Sequence, residues 1–271
     1  MGRCEMKQKH TRVLAIGDTH CGHVVGLTPP KWWFQKTGDK YHDKYAMIQR
    51  QMWRWFETEI AKIKPIDRVI FNGDAIEGKG LRSGGTELIT SDRIRQGEMF
   101  RAILEEIDCN EVAMTYGTPS HTGNDEDMED VIEKVLKRDF NISIESHLER
   151  TIAGVRFDAR HYISNSSIPH GRFTPLARED LWRLIWAERS SKFAPQVILR
   201  SHVHYFGFCG QEFSLMMTLP CLQGLGSKYG SRLCSGTVSL GFVFFDCLDG
   251  EYTWSVKTIP LKNQVSQWKK W

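Results

Sequence analysis

The segment VLAIGDTH, residues 13–20, joins a short apolar run to a glycine and then to two polar side chains, Asp18 and His20. Four consecutive apolar residues that end at Gly17 are typical of a buried β-strand followed by a sharp turn. Side chains alternate along an extended segment, so Asp18 and His20 are expected to lie on one face. The segment therefore predicts a strand that delivers a carboxylate and an imidazole to its carboxyl end.

The same arrangement recurs along the chain, with an apolar run leading to Asp or His. RVIF (68–71) leads to Asp74, EVAMTY (111–116) to His121, GVRFDAR (154–160) to His161, and QVIL (196–199) to His202 and His204. In open α/β sheets, ligands bind beyond the carboxyl ends of the strands. We therefore expect these side chains to meet at one edge of a sheet.

Helical patterns separate the first strands. Apolar residues recur near a 3.6-residue period over 41–63 and 92–107, and helices are also expected over 128–140 and 176–190. A strand or hairpin is expected over 142–163, and the last quarter is β-rich. Alternating strands and helices predict a layered α/β fold. We expect one domain over 1–271, with a loop insertion at about 24–40.

The composition is that of an ordinary soluble protein. Hydrophobic residues make up 41% and charged residues 25%, and the formal net charge of +3 argues neither for nor against a polyanionic partner. The chain has no apolar run near the roughly 20 residues that span a bilayer and no N-terminal signal-peptide pattern. Its seven cysteines include no CxxC pair. These features predict a cytoplasmic protein with reduced thiols and no membrane partner.

Carboxylates and imidazoles together indicate a transition-metal site. Mixed oxygen and nitrogen ligands suit Mn, Fe, Zn, Co or Ni better than Ca, which prefers oxygen alone. The pairs Asp18/His20 and His202/His204 can each hold one metal or be divided between two adjacent metals. A carboxylate has two oxygens and can bridge two metals.

The ordered series of motifs resembles the calcineurin-like metallophosphoesterase family, whose pattern is D-x-H, G-D, G-N-H, H and G-H-x-H. The matching segments are GDTH (17–20), GDAIEG (73–78), GTPSH (117–121), the lone His161, and SHVH (201–204). They cover roughly residues 12–205. DTHCGHVVGLTPP and GTPSHTG are similar to a bacteriophage or prophage branch. The resemblance implies a four-layer sandwich of two mixed β-sheets flanked by helices.

The resemblance also implies roles. Two divalent metal ions are expected, with Mn favoured and Fe, Zn, Ni, Co or Mg as alternatives. His121 would protonate the leaving oxygen. The implied metal ligands are Asp18, His20 and His204 for the first ion, Asp74 as the bridge, and His161 and His202 for the second ion.

One position departs from the family pattern. Ser120 stands where the family has the asparagine that binds the second metal, and Thr118 follows the glycine. Asn124 offers another amide, although we favour Asn124 or Asp125 as the N-cap of the next helix. His23, three residues after His20, is a further site residue of lower priority.

The expected function is hydrolysis of phosphodiesters, including nucleic acid such as DNA, by metal-activated hydroxide. The alternatives are a phosphomonoesterase or protein phosphatase using the same site, and a non-catalytic phage binding or assembly module. The run Trp32, Trp33 and Phe34 fits either a base-stacking platform or a hydrophobic anchor for the insertion, and we favour the anchor. Location in the cytoplasm would mean the host cytoplasm for a phage protein.

Overall fold

Two β-sheets pack face to face in the computed structural model, which describes residues 10–122, 127, 129–166, 168–225 and 238–259. The strands in chain order are β1 (Thr11–Ile16), β2 (Arg68–Asn72), β3 (Glu111–Thr115), β4 (Asn141–Glu145), β5 (Leu148–Ile152), β6 (Val155–Ala159), β7 (Val197–Arg200), β8 (Gly207–Gln211), β9 (Ser214–Thr218), β10 (Gly241–Leu248) and β11 (Glu251–Thr258). The helices are α1 (Lys40–Ile63), α2 (Arg93–Ile107), α3 (Pro119–Thr122), α4 (Asp130–Leu136) and α5 (Thr174–Ser190).

Both sheets are mixed. The first has the order β11-β10-β1-β2-β3-β4, with β1 to β4 parallel and β10 antiparallel to β1. The second has the order β5-β6-β7-β9-β8, with β6, β7 and β9 parallel and both edge strands antiparallel. The predicted fold class, two mixed sheets flanked by helices, is confirmed.

Three apolar layers hold the sandwich together. Between the sheets, Phe245 of β10 packs edge to face on Phe157 of β6. On the outer face of the first sheet, Phe71 of β2 meets Phe100 of α2, and α1 and α4 extend the same core. A smaller cluster that includes Leu176 lies between α5 and the second sheet. Burying each large side chain contributes about 1.5–3 kcal/mol, so these layers fix the strand ends relative to one another.

The segment 142–163 departs from its predicted form. The sequence predicts one strand or a hairpin here, but the segment forms three strands divided between the sheets. β4 completes the first sheet beside β3, and β5 and β6 form the antiparallel edge of the second sheet. The chain therefore crosses between sheets at residues 146–147, a step that alternation of apolar residues does not reveal.

The helix predicted over 128–140 is also shorter than expected. α4 runs only from Asp130 to Leu136, and its N-cap position is Glu129, whose side chain makes no capping hydrogen bond. The expectation that Asn124 or Asp125 caps this helix is therefore wrong, and both residues lie outside the described part of the chain.

The segment 24–40, predicted as a loop insertion, begins inside the core. Val24, Val25 and Leu27 are at most 4% exposed. The Gln49 side chain of α1 donates to Val24 O and accepts from Phe34 N, which ties the segment to the helix. Trp32, Trp33 and Phe34 pack against the same core, which agrees with the anchor interpretation.

Among the described helices, none combines the length and the apolar character that crossing a membrane requires.

Candidate metal centre

The six predicted metal ligands converge beyond the carboxyl ends of β1, β2, β6 and β7. Their ligand atoms form two groups, and within each group all atoms lie within 4.8 Å of one another. The first group is Asp18, His20 and His204, and the second is Asp74, His161 and His202. This division matches the one that the family resemblance implies, while metal binding itself stays a prediction.

Short distances join the side chains of the first group. His204 Nε2 lies 3.2 Å from Asp18 Oδ1 and 3.3 Å from His20 Nε2. His20 Nε2 also lies 3.8 Å from Asp18 Oδ1. All three side chains therefore direct a potential ligand atom at one small volume.

Asp74, a member of the second group, also lies close to the first group. Its Oδ2 is 3.0 Å from His161 Nε2 of the second group and 3.9 Å from His20 Nε2 of the first. Its Oδ1 accepts a hydrogen bond from Thr118 N at 2.8 Å. One oxygen is thus fixed by the backbone while the other faces both sets of imidazoles, as a bridging carboxylate requires.

Buried polar atoms at the centre fit a cation. Within the described residues, both carboxylate oxygens of Asp18 and Nε2 of His161 are buried and make no hydrogen bond. Buried polar atoms normally have a partner, because leaving one unsatisfied costs about 1–3 kcal/mol. A divalent ion coordinated by these atoms would remove that cost, so the residues present fit the group that the motifs imply.

The remaining ring nitrogens determine which atom each histidine offers. His161 Nδ1 donates to Asn72 O at 2.8 Å, and His20 Nδ1 lies 2.8 Å from Glu77 Oε2. Partners of this kind orient a metal-binding imidazole and fix its tautomer. Both histidines are thereby left with Nε2 facing the centre.

The backbone at the centre is left-handed, which corrects the reason given for the Asp-x-His spacing. Five of the six ligands have positive φ, between 45° and 70°: Asp18, His20, Asp74, His202 and His204. The pairs are therefore not extended, and alternation along a strand does not explain their shared direction. Tight left-handed turns after β1, β2 and β7 direct these five side chains into the centre. Such residues cluster at functional sites.

The electrostatics of the centre favour positive charge. Burial alone would lower the pKa of His20, but the nearby carboxylates of Asp18 and Glu77 outweigh it and raise the pKa to about 10. Burial likewise opposes protonation of His161, yet the charge of Asp74 raises its pKa to about 9. His202 is the exception, because burial lowers its pKa to about 4. The carboxylates therefore create a negative potential that a bound divalent cation would neutralise.

Glu77 is a site residue that the sequence analysis missed. It is buried, and its Oε2 lies 2.8 Å from His20 Nδ1 and 3.2 Å from His121 Nδ1. The segments after β1 and β2 stay paired beyond the strands, through His20 N to Asp74 O and Glu77 N to Cys21 O. That pairing carries Glu77 back to His20. In the sequence, Glu77 is indicated only by its position three residues after Asp74 in GDAIEG.

His121 faces the centre from α3, the short helix that begins at Pro119 within GTPSH. Its Nε2 lies 3.9 Å from Asp74 Oδ2, and its ring packs edge to face on His20. The side chain is 12% exposed, against 1% for His20 and 24% for His204, so solvent can reach it. This position suits the predicted proton donor, a role that stays a prediction.

Thr118 contacts the bridging carboxylate. Its hydroxyl lies 3.2 Å from each oxygen of Asp74, and its backbone N–H donates to the same group. A Cβ at Gly117 would collide with Asp74 Oδ1, which explains why GTPSH begins with glycine. Glu129, also missed, accepts from Ala75 N at 2.9 Å and Gly117 N at 2.7 Å and so joins the two loops.

Of the lower-priority residues Ser120, Asn124 and His23, the structure describes only the His23 side chain. Ser120 belongs to α3, but its side chain lies outside what the structure describes, as does all of Asn124. His23 is buried, and its Nδ1 accepts from Val25 N at 3.1 Å, which stabilises the turn after His20. Direct roles for these residues at the centre stay predictions.

A buried ion network supports the strand ends that deliver His161 and His202. Arg200, only 3% exposed, donates to Asp158 Oδ1 at 2.7 Å and to Glu179 Oε2 at 2.6 Å. His147 Nε2 lies 2.6 Å from Asp158 Oδ2. The network therefore joins β6, β7 and α5. Ser201 adds a further link, because its hydroxyl accepts from Asn72 Nδ2 at 2.8 Å.

Comparisons with known proteins give structural neighbours only. No family model matches the chain, and no curated protein matches it in sequence. It is similar to wild-type Vps29 of Entamoeba histolytica complexed with zinc, with 15% identity, a TM-score of 0.47, and coverage of 94% of this chain and 95% of that one. It is also similar to an archaeal phosphodiesterase, with 13% identity, a TM-score of 0.43, and coverage of 91% and 100%. A predicted phosphoesterase of Streptococcus pneumoniae shows 9% identity, a TM-score of 0.37, and coverage of 92% and 99%. All three TM-scores are below 0.5.

Proposed function

We propose that this chain is a two-metal-dependent phosphoesterase that hydrolyses phosphodiesters. The observation that carries the proposal is the position of Asp74, whose Oδ2 lies within 3.9 Å of imidazole nitrogens from both ligand groups. Two such groups joined by one carboxylate suit a pair of divalent ions. When bound, the ions would supply Lewis-acid activation of the phosphoryl group and of water.

The charge of the centre favours diesters. Asp18, Asp74 and Glu77 contribute three negative charges, and burial is outweighed by histidine contacts that lower the pKa of all three. Two divalent ions would bring the sum of these charges to +1, and the activated hydroxide would bring it to zero. A diester carries one negative charge and a monoester up to two, so a bound diester departs less from neutrality.

His121 is proposed to hold the proton that the leaving oxygen receives. Its Nε2 faces the centre, while Nδ1 lies 3.2 Å from Glu77 Oε2. We infer that this contact with Glu77 favours the ring orientation in which Nε2 faces the centre. General acid catalysis of this kind contributes about 10²–10⁴-fold to the rate.

The proposed substrate, metal ion and domain assignment rest on the sequence. The motif segments GDTHCGH, GDAIEG and GTPSHTG contain no lysine or arginine, which also favours a monoanionic substrate. Likeness to phage members of the family leads us to propose nucleic acid, such as DNA, as the substrate, and Mn²⁺ as the preferred ion. The assignment of residues 1–271 to one domain is part of the same proposal.

The test compares esters that share a leaving group. Purified protein is stripped of metal, reloaded with Mn²⁺, Mg²⁺, Zn²⁺ or Ni²⁺, analysed for metal content, and assayed on bis(4-nitrophenyl) phosphate and 4-nitrophenyl phosphate. We expect two ions per chain and a higher kcat/KM for the diester with Mn²⁺. Asp74→Asn should lose both metal and activity, and Asp139→Asn, at an ion pair with Arg101 away from the centre, serves as the matched control. Preference for the monoester would make the protein a phosphomonoesterase, and bound metal without turnover would favour a binding module.

A further inference from the structure

We propose that Tyr162 is a substrate-contact residue, whose exposed ring offers a stacking surface beside the metal centre for the nucleoside of a phosphodiester. The inference rests on the proposed function and names the substrate class of that site. Tyr162 follows His161 directly, and its ring centroid lies 5.0 Å from the ring centroid of His202. The residue is 63% exposed.

The backbone holds Tyr162 firmly in this place. His161, before it, is 3% exposed, and its carbonyl accepts from Ser201 N at 2.8 Å. Ile163, after it, is 4% exposed and packs in the cluster beneath α5. With both neighbours fixed inward, the Tyr162 side chain is directed outward at the mouth of the centre.

The contact with His202 leaves room for a ligand. The two rings are tilted by 41°, so they touch without stacking in parallel. A ring that is held on one side and nearly two-thirds exposed keeps most of its surface for another planar group. Tyrosine is suited to this, because it provides a large amphipathic surface and loses little conformational entropy on binding.

Base–aromatic stacking needs no particular base. Stacking on one aromatic side chain strengthens binding by roughly 5- to 150-fold per base. A phosphate at the two ligand groups would place its ester substituent within reach of the mouth. Tyr162 would therefore favour diesters that carry a nucleoside over diesters with small aliphatic groups, through KM more than through kcat.

The first test measures kcat/KM for two esters with the same leaving group, thymidine 5′-(4-nitrophenyl phosphate) and ethyl 4-nitrophenyl phosphate. In the Mn²⁺-loaded wild type, the ratio should favour the nucleoside ester. The ratio should fall roughly 5- to 150-fold in Tyr162→Ala and persist in Tyr162→Phe. Trp186→Ala, which removes an aromatic ring of α5 that is also 63% exposed, should keep the wild-type ratio. An equal loss for both esters in Tyr162→Ala would mean that the ring only supports His202, and would overturn the proposal.

The second test does not depend on turnover. Calorimetry on the metal-loaded protein compares binding of thymidine 5′-ethyl phosphate and diethyl phosphate. The wild type should bind the nucleoside diester more tightly, and Tyr162→Ala should remove that preference. If the preference disappears in Tyr162→Ala but the wild type hydrolyses no ester, the contact stands and the proposed function fails. If the wild type is active but Tyr162→Ala keeps the preference in both tests, the contact is wrong and the proposed function stands.

Discussion

Glu77→Gln tests whether a residue outside the six predicted ligands is needed to hold the metal centre in place. Glu77 Oε2 lies 2.8 Å from His20 Nδ1 and 3.2 Å from His121 Nδ1, so one buried carboxylate orients a ligand and the proposed acid together. Glutamine keeps the size and one acceptor oxygen but removes the charge. Both imidazoles should then hold their orientation less firmly.

The magnitude follows from the contacts. Mutating the partner of a metal-binding histidine costs about 10- to 100-fold in metal affinity, which corresponds to about 1.4–2.7 kcal/mol. Charge-assisted hydrogen bonds are roughly twice as strong as neutral ones. We therefore expect Glu77→Gln near the lower limit, at about 10-fold, and Glu77→Ala near the upper limit, at about 100-fold. Because His121 loses the same partner, kcat at saturating metal should fall as well.

The assay is a titration of Mn²⁺ into metal-free protein, followed by steady-state kinetics at saturating metal. Glu212→Gln, at an exposed position after β8, is the matched control and should behave as the wild type. If Glu77→Gln and Glu77→Ala both bind Mn²⁺ as tightly as the wild type and turn over normally, Glu77 does not support the centre. Loss of folding in the alanine variant would show in its circular dichroism, and the glutamine variant would then decide the question.

Three further outcomes are expected. His121→Ala should keep its bound metal and lose turnover, with a smaller loss for nitrophenyl esters, whose leaving groups need less protonation; loss of metal would instead make His121 a ligand. Arg200→Met should lower the free energy of unfolding by about 3–5 kcal/mol in a urea titration, because it leaves the buried Asp158 without its cation. The free energy of unfolding, measured against pH, should fall in acid. Burial opposes ionisation of Asp158, but the hydrogen bond to His147 and the charge of Arg200 lower its pKa in the folded state. The stabilisation by Asp158 is therefore complete above the unfolded-state pKa of about 3.9 and is lost as the pH falls through the lower folded-state pKa; a free energy of unfolding that does not change in acid would contradict this prediction.

The strands and their ends could be predicted because they follow local rules. β1, β2 and β7 each contain a buried apolar run that is followed by polar residues at the sheet edge, so VLAIGDTH and QVILRSHVH contain the signal for the strand and its ligands. The two-sheet architecture came from the family resemblance. Periodicity alone predicted alternating strands and helices and did not assign strands to sheets.

The remaining features depend on tertiary contacts. Glu77 reaches His20 only because the segments after β1 and β2 remain paired, and Glu129 reaches the centre from a different part of the chain to join two loops. The Asn72 side chain similarly links Ser201 and Thr115 across strand ends. These residues have no motif of their own, so sequence patterns could not distinguish them from ordinary acids and amides.

Backbone strain and buried charge are concentrated at the same edge of the sheets, and this links metal binding to folding. Each non-glycine residue held in the left-handed region costs about 1 kcal/mol or more, and Asp18, Asp74 and Glu77 are buried close together. Hydrogen bonds from Asp18 N to Gly73 O at 3.0 Å and from His20 N to Asp74 O at 3.1 Å hold the turns in place. They offset part of the backbone cost. The charges of the three carboxylates are balanced by the neighbouring histidines, whose contacts lower the carboxylate pKa values. A cation bound only by the folded state would take the place of the histidine protons and stabilise the fold by mass action. Ligand residues held in a strained backbone are expected of a binding site and not of a structural core.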